Sequence, residues 1–212
     1  MAVAGWHEDR TMAPESPPAP RLFDGPDDGP ATLLLAHGAG APIDSPFMVS
    51  IASGLGLKGW RVVRFECGYM ARMRKTGRRQ GPDRVPVLQE AFRQQVELET
   101  ETEAWSDRPL FVGGKSMGGR VTSLLVDGLA ASSGVEGCLC LGNPLHPPGK
   151  PLTLRTEHLA ELQAPTLILQ GEWIPSGDHS FKPTKGSGLS ETENCATEES
   201  LVDSFLGEVL ST

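Results

Sequence analysis

The stretch FVGGKSMGGR, residues 111–120, sets Ser116 between Gly114 and Gly118 in a G-x-S-x-G pattern, with an apolar run before it and a helix-forming run after it. A serine on a sharp strand-to-helix turn needs small neighbours on both sides, because a Cβ there would collide with the adjoining strand or helix. Ser116 is therefore expected above a sheet edge, its Oγ placed to attack a carbonyl. The Met117 N–H, at the positive end of the new helix, would face the developing oxyanion. A glycine-softened turn holding an incidental serine is the bland alternative.

Around this segment the chain alternates short apolar runs with amphipathic ones. ATLLLAH (31–37), RVVRFE (61–66), PLFVGG (109–114), VEGCLCLG (135–142) and PTLILQG (165–171) read as strands. PFMVSIASGLGLKG (46–59), LQEAFRQQVELETETEAW (88–105), SMGGRVTSLLVDGLAA (116–131), TEHLAEL (156–162) and EESLVDSFLGEVL (198–210) read as helices. Strands apolar on both faces that alternate with helices imply a mostly parallel sheet covered on both sides, a doubly wound α/β fold. No internal repeat or linker divides the chain.

The 212 residues are enough for one substantial core and few for two. The proline-rich TMAPESPPAP (11–20) makes the first twenty residues a mobile lead-in, leaving 21–212 as a single domain. A net charge of −8 repels nucleic acid and anionic membrane, and no apolar run is long enough to span a bilayer, so neither partner is expected. The N-terminus lacks the apolar core of a signal peptide. The four cysteines, Cys67, Cys138, Cys140 and Cys195, form no metal-type pair. Cys138 and Cys140 would share one face of a strand as buried thiols, and the expected compartment is the cytoplasm.

HGAG (37–40) follows the first strong strand, where this architecture draws its second oxyanion donor from a backbone N–H; Ala39 is the chosen donor. His37 and Gly38 would line the substrate side of the same loop. His37 precedes the nucleophile, against the order serine, acid, histidine, so shaping the loop suits it better than acting as a base.

From LLLAHGAG through GGKSMGGR, LGNPLHPPGKP and LILQGE to GDHSFKP, the sequence resembles α/β-hydrolases of the dienelactone-hydrolase-like kind. It looks closest to the branch of testis-expressed and NSL-complex-subunit hydrolase-like proteins and their bacterial relatives. The resemblance implies a serine hydrolase fold, with Ser116 at the nucleophile position and His179 at the base position. No metal or organic cofactor is required.

One departure from that family stands out. Its members usually continue from LILQGE through an acid, a helix and a further strand into W-x-x-x-G-D-H. Here only residues 173–178 separate Glu172 from His179. Six residues cannot make a crossover and return as a parallel neighbour, so the last strand and the helix before it are expected to be missing. Reach is not the obstacle: Ser116's strand should lie about 10 Å away, and six extended residues span about 20 Å. Glu172, immediately after a strand, is the first choice for the acid, with a solvated loop carboxylate as the equal alternative. Asp178 adjoins His179 and diverges from it, and Asn143 cannot supply a charge.

RMRKTGRRQGPDR (72–84) places six basic side chains on a loop that either recruits an anionic acyl or phosphorylated substrate or is simply solvated. LHPPGKP (145–151) reads as a rigid substrate-side loop, whose His146 either touches substrate or makes a structural hydrogen bond.

Two functions fit. One is a hydrolase of a small-molecule carboxylic ester or thioester acting through an acyl-enzyme. The other is a non-catalytic hydrolase-like protein disabled by the shortened segment. A missing last strand would also expose a sheet edge, through which a homodimer could form.

Overall fold

Six strands assemble into one sheet in the order β1-β3-β2-β4-β5-β6. The computed structural model describes residues 20–102, 108–147, 149–150, 152–171, 181–183 and 190–212. The strands are β1 (Arg21–Asp24), β2 (Thr32–Ala36), β3 (Arg61–Phe65), β4 (Leu110–Lys115), β5 (Val135–Leu141) and β6 (Thr166–Leu169). β2 through β6 run parallel, and β1 adds an antiparallel edge to β3. The helices are α1 (Pro46–Leu57), α2 (Gly68–Thr76), α3 (Val85–Glu101), α4 (Met117–Ser123), α5 (Val126–Ser133) and α6 (Glu191–Leu210).

Both faces of the sheet are covered, as unbroken apolar strands require. Leu34, Val63, Phe65 and Val112 face Phe92 and Val96 of α3 and Val126 and Leu129 of α5. Leu33, Leu35, Val62 and Phe111 face Ile51 and Leu55 of α1 and Val202 and Leu206 of α6. Parallel strands deliver all their C-terminal ends to one edge, so the loops after β2 to β5 converge there. Among the described residues the sheet ends at β6.

Several local readings need correction. Residues 116–131 form two helices, with a break at Leu124 and Leu125, where one was expected. Just before the break, the Thr122 hydroxyl donates to Gly118 O at 2.7 Å and the Ser123 hydroxyl to Arg120 O at 3.0 Å, a back-bonding that bends and weakens helices. Residues 157–160 make a single 3₁₀ turn where a short helix was expected. The basic segment 72–84 is not all loop, since residues 72–76 belong to α2, which Gly77 closes in the left-handed conformation (φ 66°). α6 begins seven residues before its expected start, at a capping box in which Ser190 and Glu193 bond each other's backbone N–H. The chain before residue 20 lies outside the described residues, as does Trp105.

Candidate active site

Ser116 is one of two non-glycine residues with positive φ among those described, at φ 51° and ψ −107°. Such a conformation costs on the order of 1–3 kcal/mol and persists only where the surroundings enforce it. Here the Ser116 N–H donates to Leu141 O of β5 at 2.7 Å, and Ser116 O accepts from the Arg120 N–H at 3.0 Å. The flanking glycines meet the steric demand read from the sequence. A Cβ on Gly114 would lie 2.5 Å from the Gly118 carbonyl carbon, and one on Gly118 would lie 2.7 Å from Ala36 O. The Met117 N–H opens α4, where a helix leaves its first N–H groups without intrahelical acceptors.

The HGAG loop packs directly on this turn, since a Cβ on Gly38 would lie 3.8 Å from Ser116 Cβ. His37 is fully buried. Its Nε2 accepts the Cys67 N–H at 3.0 Å, which leaves Nδ1 to carry the proton and donate to Gly38 O at 2.7 Å. Burial holds the His37 pKa below its ordinary value, against weaker support from backbone hydrogen bonds and Glu66. With no ring surface exposed, His37 shapes the loop from beneath. Tyr69 of α2 donates to Ala39 O at 3.0 Å, and its oxygen lies 3.4 Å from Gly38 O and 3.9 Å from Met117 Sδ. Because a trans peptide points its carbonyl and N–H in opposite directions, holding Gly38 O inward turns the Ala39 N–H outward. Ala39 itself is exposed.

After β3, the buried Glu66 receives Arg74 Nε on both oxygens at 2.8 Å, and Arg74 Nη2 reaches Asp44 at 2.5 Å. Asp44 and Glu66 raise the Arg74 pKa, and Arg74 in turn lowers that of Asp44. Arg72 pairs with Asp83 at 2.6 Å. Of the six basic side chains read as a recruiting loop, two are thus engaged in ion pairs, while Lys75, Arg78, Arg79 and Arg84 are exposed.

Glu172 and His179 lie outside the described residues. The residues flanking them are anchored at the same sheet edge. Gln170 Nε2 donates to Asn143 O at 2.7 Å, tying the end of β6 to the loop after β5. Asn143 is buried, and its side-chain oxygen has no hydrogen-bond partner. Phe181, at φ 64°, is also buried, and its carbonyl accepts from Asn194 Nδ2 of α6 at 3.0 Å. Its ring stacks on Phe47 at 5.3 Å, and Lys115 Nζ, from the residue before Ser116, lies 4.3 Å from its centroid. His146 is exposed, with Nδ1 3.1 Å from Pro147 O.

Sequence reading missed Tyr69, Lys115, Phe181 and Asn194. Tyr69 is the chain's one tyrosine and sits just past a strand, a signal that could have found it. Cys138 and Cys140 are buried free thiols with Sγ atoms 3.7 Å apart, on one strand face as expected. Among the described residues there is no cluster of potential metal ligands and no helix long and apolar enough to cross a membrane.

Residues 29–173 match the alpha/beta hydrolase domain family, and the chain belongs to that family. Among solved structures it is similar to dienelactone hydrolase from Anabaena variabilis, at 16% identity and a TM-score of 0.62, covering 85% of this chain and 88% of that one. A member of the a/b serine hydrolases without lid from Xanthomonas campestris matches at 16% identity and a TM-score of 0.58, covering 89% and 88%. Est1E from Butyrivibrio proteoclasticus matches at 13% identity and a TM-score of 0.46, over 58% of this chain and 46% of its own length. The family match and the two likenesses with TM-scores above 0.5 establish the alpha/beta hydrolase fold with dienelactone-hydrolase-like neighbours.

Proposed function

We propose that the protein is a serine hydrolase of carboxylic esters or thioesters. His179 removes the Ser116 proton, Ser116 Oγ attacks the acyl carbon, and the oxyanion rests on the N–H groups of Met117 and Ala39. The alcohol or thiol leaves with that proton, and water then frees the acid by the same steps in reverse order. Glu172 orients the imidazole. Gly38 and His146 border the substrate, and His37 acts on it through the loop it shapes.

The observation that carries this reading is the strained Ser116, wedged between Gly114 and Gly118 with the HGAG loop packed on it. Support for His179 comes from Phe181, two residues later, whose ring lies against Lys115 beside the nucleophile. The motifs HPPGKP and GDHSFKP favour the testis-expressed and NSL-complex-subunit branch. The buried free thiols suit a reducing, cytoplasmic setting, and the β6 edge offers a surface for a second copy.

A fluorophosphonate probe tests the proposal. Wild type should be labelled and Ser116→Ala should not. A well-folded wild type that takes no label would favour the non-catalytic alternative.

A further inference from the structure

Six of the chain's 19 basic residues lie between Arg72 and Arg84, a stretch with one acid, Asp83, in a protein whose net charge is −8. Three contacts fix where this stretch lies. Arg74 Nη2 reaches Asp44, on the segment that leads from the HGAG loop into α1, at 2.5 Å. Beyond the left-handed Gly77, Gln80 Nε2 donates to the Tyr69 carbonyl oxygen at 2.8 Å, and the hydroxyl of the same tyrosine bonds Ala39 O. Asp83 closes the return by pairing with Arg72 at 2.6 Å. Residues 77–84 therefore fold back as a strap along α2, with Gln80 one tyrosine away from the HGAG loop.

The basic side chains divide by what they meet. Arg72 pairs with Asp83, and Arg74 with Asp44 and the buried Glu66. Among the described residues Lys75, Arg78, Arg79 and Arg84 pair with no acid, and all four are exposed. Lys75 lies in the last turn of α2, where the helix dipole favours a cation. The three arginines have no such account. Arg84 stands at the N-cap of α3, where the dipole disfavours a cation, and that helix has neither a side-chain cap nor an acid in its first turn. Gathering like charges on one strap costs Coulomb energy that a multiply charged anion would offset. Guanidinium groups pair with phosphate oxygens two at a time, and the negative charge carried elsewhere on the chain would steer an anion toward this patch.

Resting on the hydrolase reading, we propose that the strap recruits the substrate by its phosphates. The protein cleaves an ester or thioester whose leaving alcohol or thiol carries several phosphate charges at the end of an extended arm, and Lys75, Arg78, Arg79 and Arg84 set that preference. Several exposed cations at the rim suit several charges held away from the reacting carbonyl, whereas one carboxylate beside the scissile bond would call for a cation at the elbow itself. Phosphorylated arms of that length are borne by alcohols and thiols, so the charges depart with the first product. The bond from the acyl carbon to that oxygen or sulfur breaks, the acyl group passes to Ser116 Oγ and then to water, and the strap touches no reacting atom.

Two thioesters with the same reacting end separate the strap from the elbow: acetyl-coenzyme A, and S-acetyl-N-acetylcysteamine, which lacks the phosphates. Wild type should show a kcat/KM roughly tenfold or more higher for acetyl-coenzyme A at low salt. That preference should shrink between about 25 and 250 mM salt as screening grows. Joint Arg78→Glu and Arg79→Glu should lower the ratio of the two kcat/KM values by about tenfold or more, through KM, while joint Arg78→Lys and Arg79→Lys should retain most of it. A merely structural strap would move both substrates together. A wild type that takes a fluorophosphonate label but does not prefer, or does not cleave, acetyl-coenzyme A overturns the strap and leaves the hydrolase standing, as does a ratio that survives charge reversal. A folded wild type that takes no label overturns the hydrolase reading. Equilibrium dialysis of coenzyme A at low salt then judges the strap alone: binding that the charge-reversed variant loses supports it, and no binding, or binding that the variant keeps, overturns it.

Discussion

The phenolic oxygen of Tyr69 lies 3.0 Å from the carbonyl oxygen of Ala39, so a helix that follows β3 holds the turn that follows β2. Through the planar peptide, this contact and its companion at Gly38 set which way the neighbouring N–H groups face. The same hydroxyl also lies 3.9 Å from Met117 Sδ, beside the elbow.

Tyr69→Phe keeps the ring and removes its hydrogen bonds. Stability should fall by about 1 kcal/mol, the net worth of a typical hydrogen bond. Turnover of a short p-nitrophenyl ester should fall more steeply, roughly tenfold, and mostly in kcat. Losing an oxyanion donor outright costs about a hundredfold or more, and a loosened donor costs less. Steady-state kinetics beside a thermal unfolding curve separates the two effects.

Gly118→Ala would drive a methyl to within 2.7 Å of Ala36 O and 2.9 Å of His37 O, both backbone atoms that cannot swing aside. Overpacking of this kind costs about 1–3 kcal/mol. The variant should melt earlier and lose fluorophosphonate labelling, because relief requires the elbow and the HGAG loop to part. Unchanged labelling would show that the two do not pack as described.

Glu99, on α3, is buried between Arg61 of β3 and Arg21 of β1. Removing one partner leaves the other charge buried and unpaired, so Glu99→Gln should cost about 3–5 kcal/mol in a urea titration. Arg61 opens β3, at the sheet edge opposite Ser116, so the folded fraction should label at the wild-type rate.

Glu198 and His37 shape stability against pH in opposite directions. Between the ordinary carboxyl value of 4.5 and about 8, folded Glu198 keeps a proton that the unfolded chain has released. Its contribution is therefore complete below pH 4.5, declines as pH rises through that window and is gone above about 8. Glu198→Gln should gain on wild type across this range, by an amount on the order of a few kcal/mol. His37 behaves oppositely: the unfolded chain takes up a proton near pH 6.5 that the buried ring resists, so its contribution falls as pH drops below that value. Unfolding midpoints for wild type, Glu198→Gln and His37→Asn at pH 5, 7 and 9 check both signs.

The five parallel strands, the elbow and α1 were legible because they depend on neighbours a few residues apart. G-x-S-x-G reports a steric demand of the turn itself, and TLLLA or RVVRF reports burial on both faces. Less was legible where distant chain decides. RLFD, residues 21–24, gained its place as β1 from pairing with β3 and from the ion pair of Arg21 with Glu99. The single helix expected over 116–131 broke where hydroxyl back-bonding and the demands of the core met. The early start of α6 had a local signal in Ser190 and Glu193, a capping box that was overlooked.

By itself, the sequence determined where a serine must be strained and which runs must be buried, since sterics and periodicity act between near neighbours. Only the tertiary structure decided that Tyr69 would hold the HGAG loop, that Phe181 would lie under Lys115, and that Glu198 would be sealed from water. Those outcomes depend on groups 30 to 83 residues apart along the chain, and burial and Coulomb energies answer to distance in space.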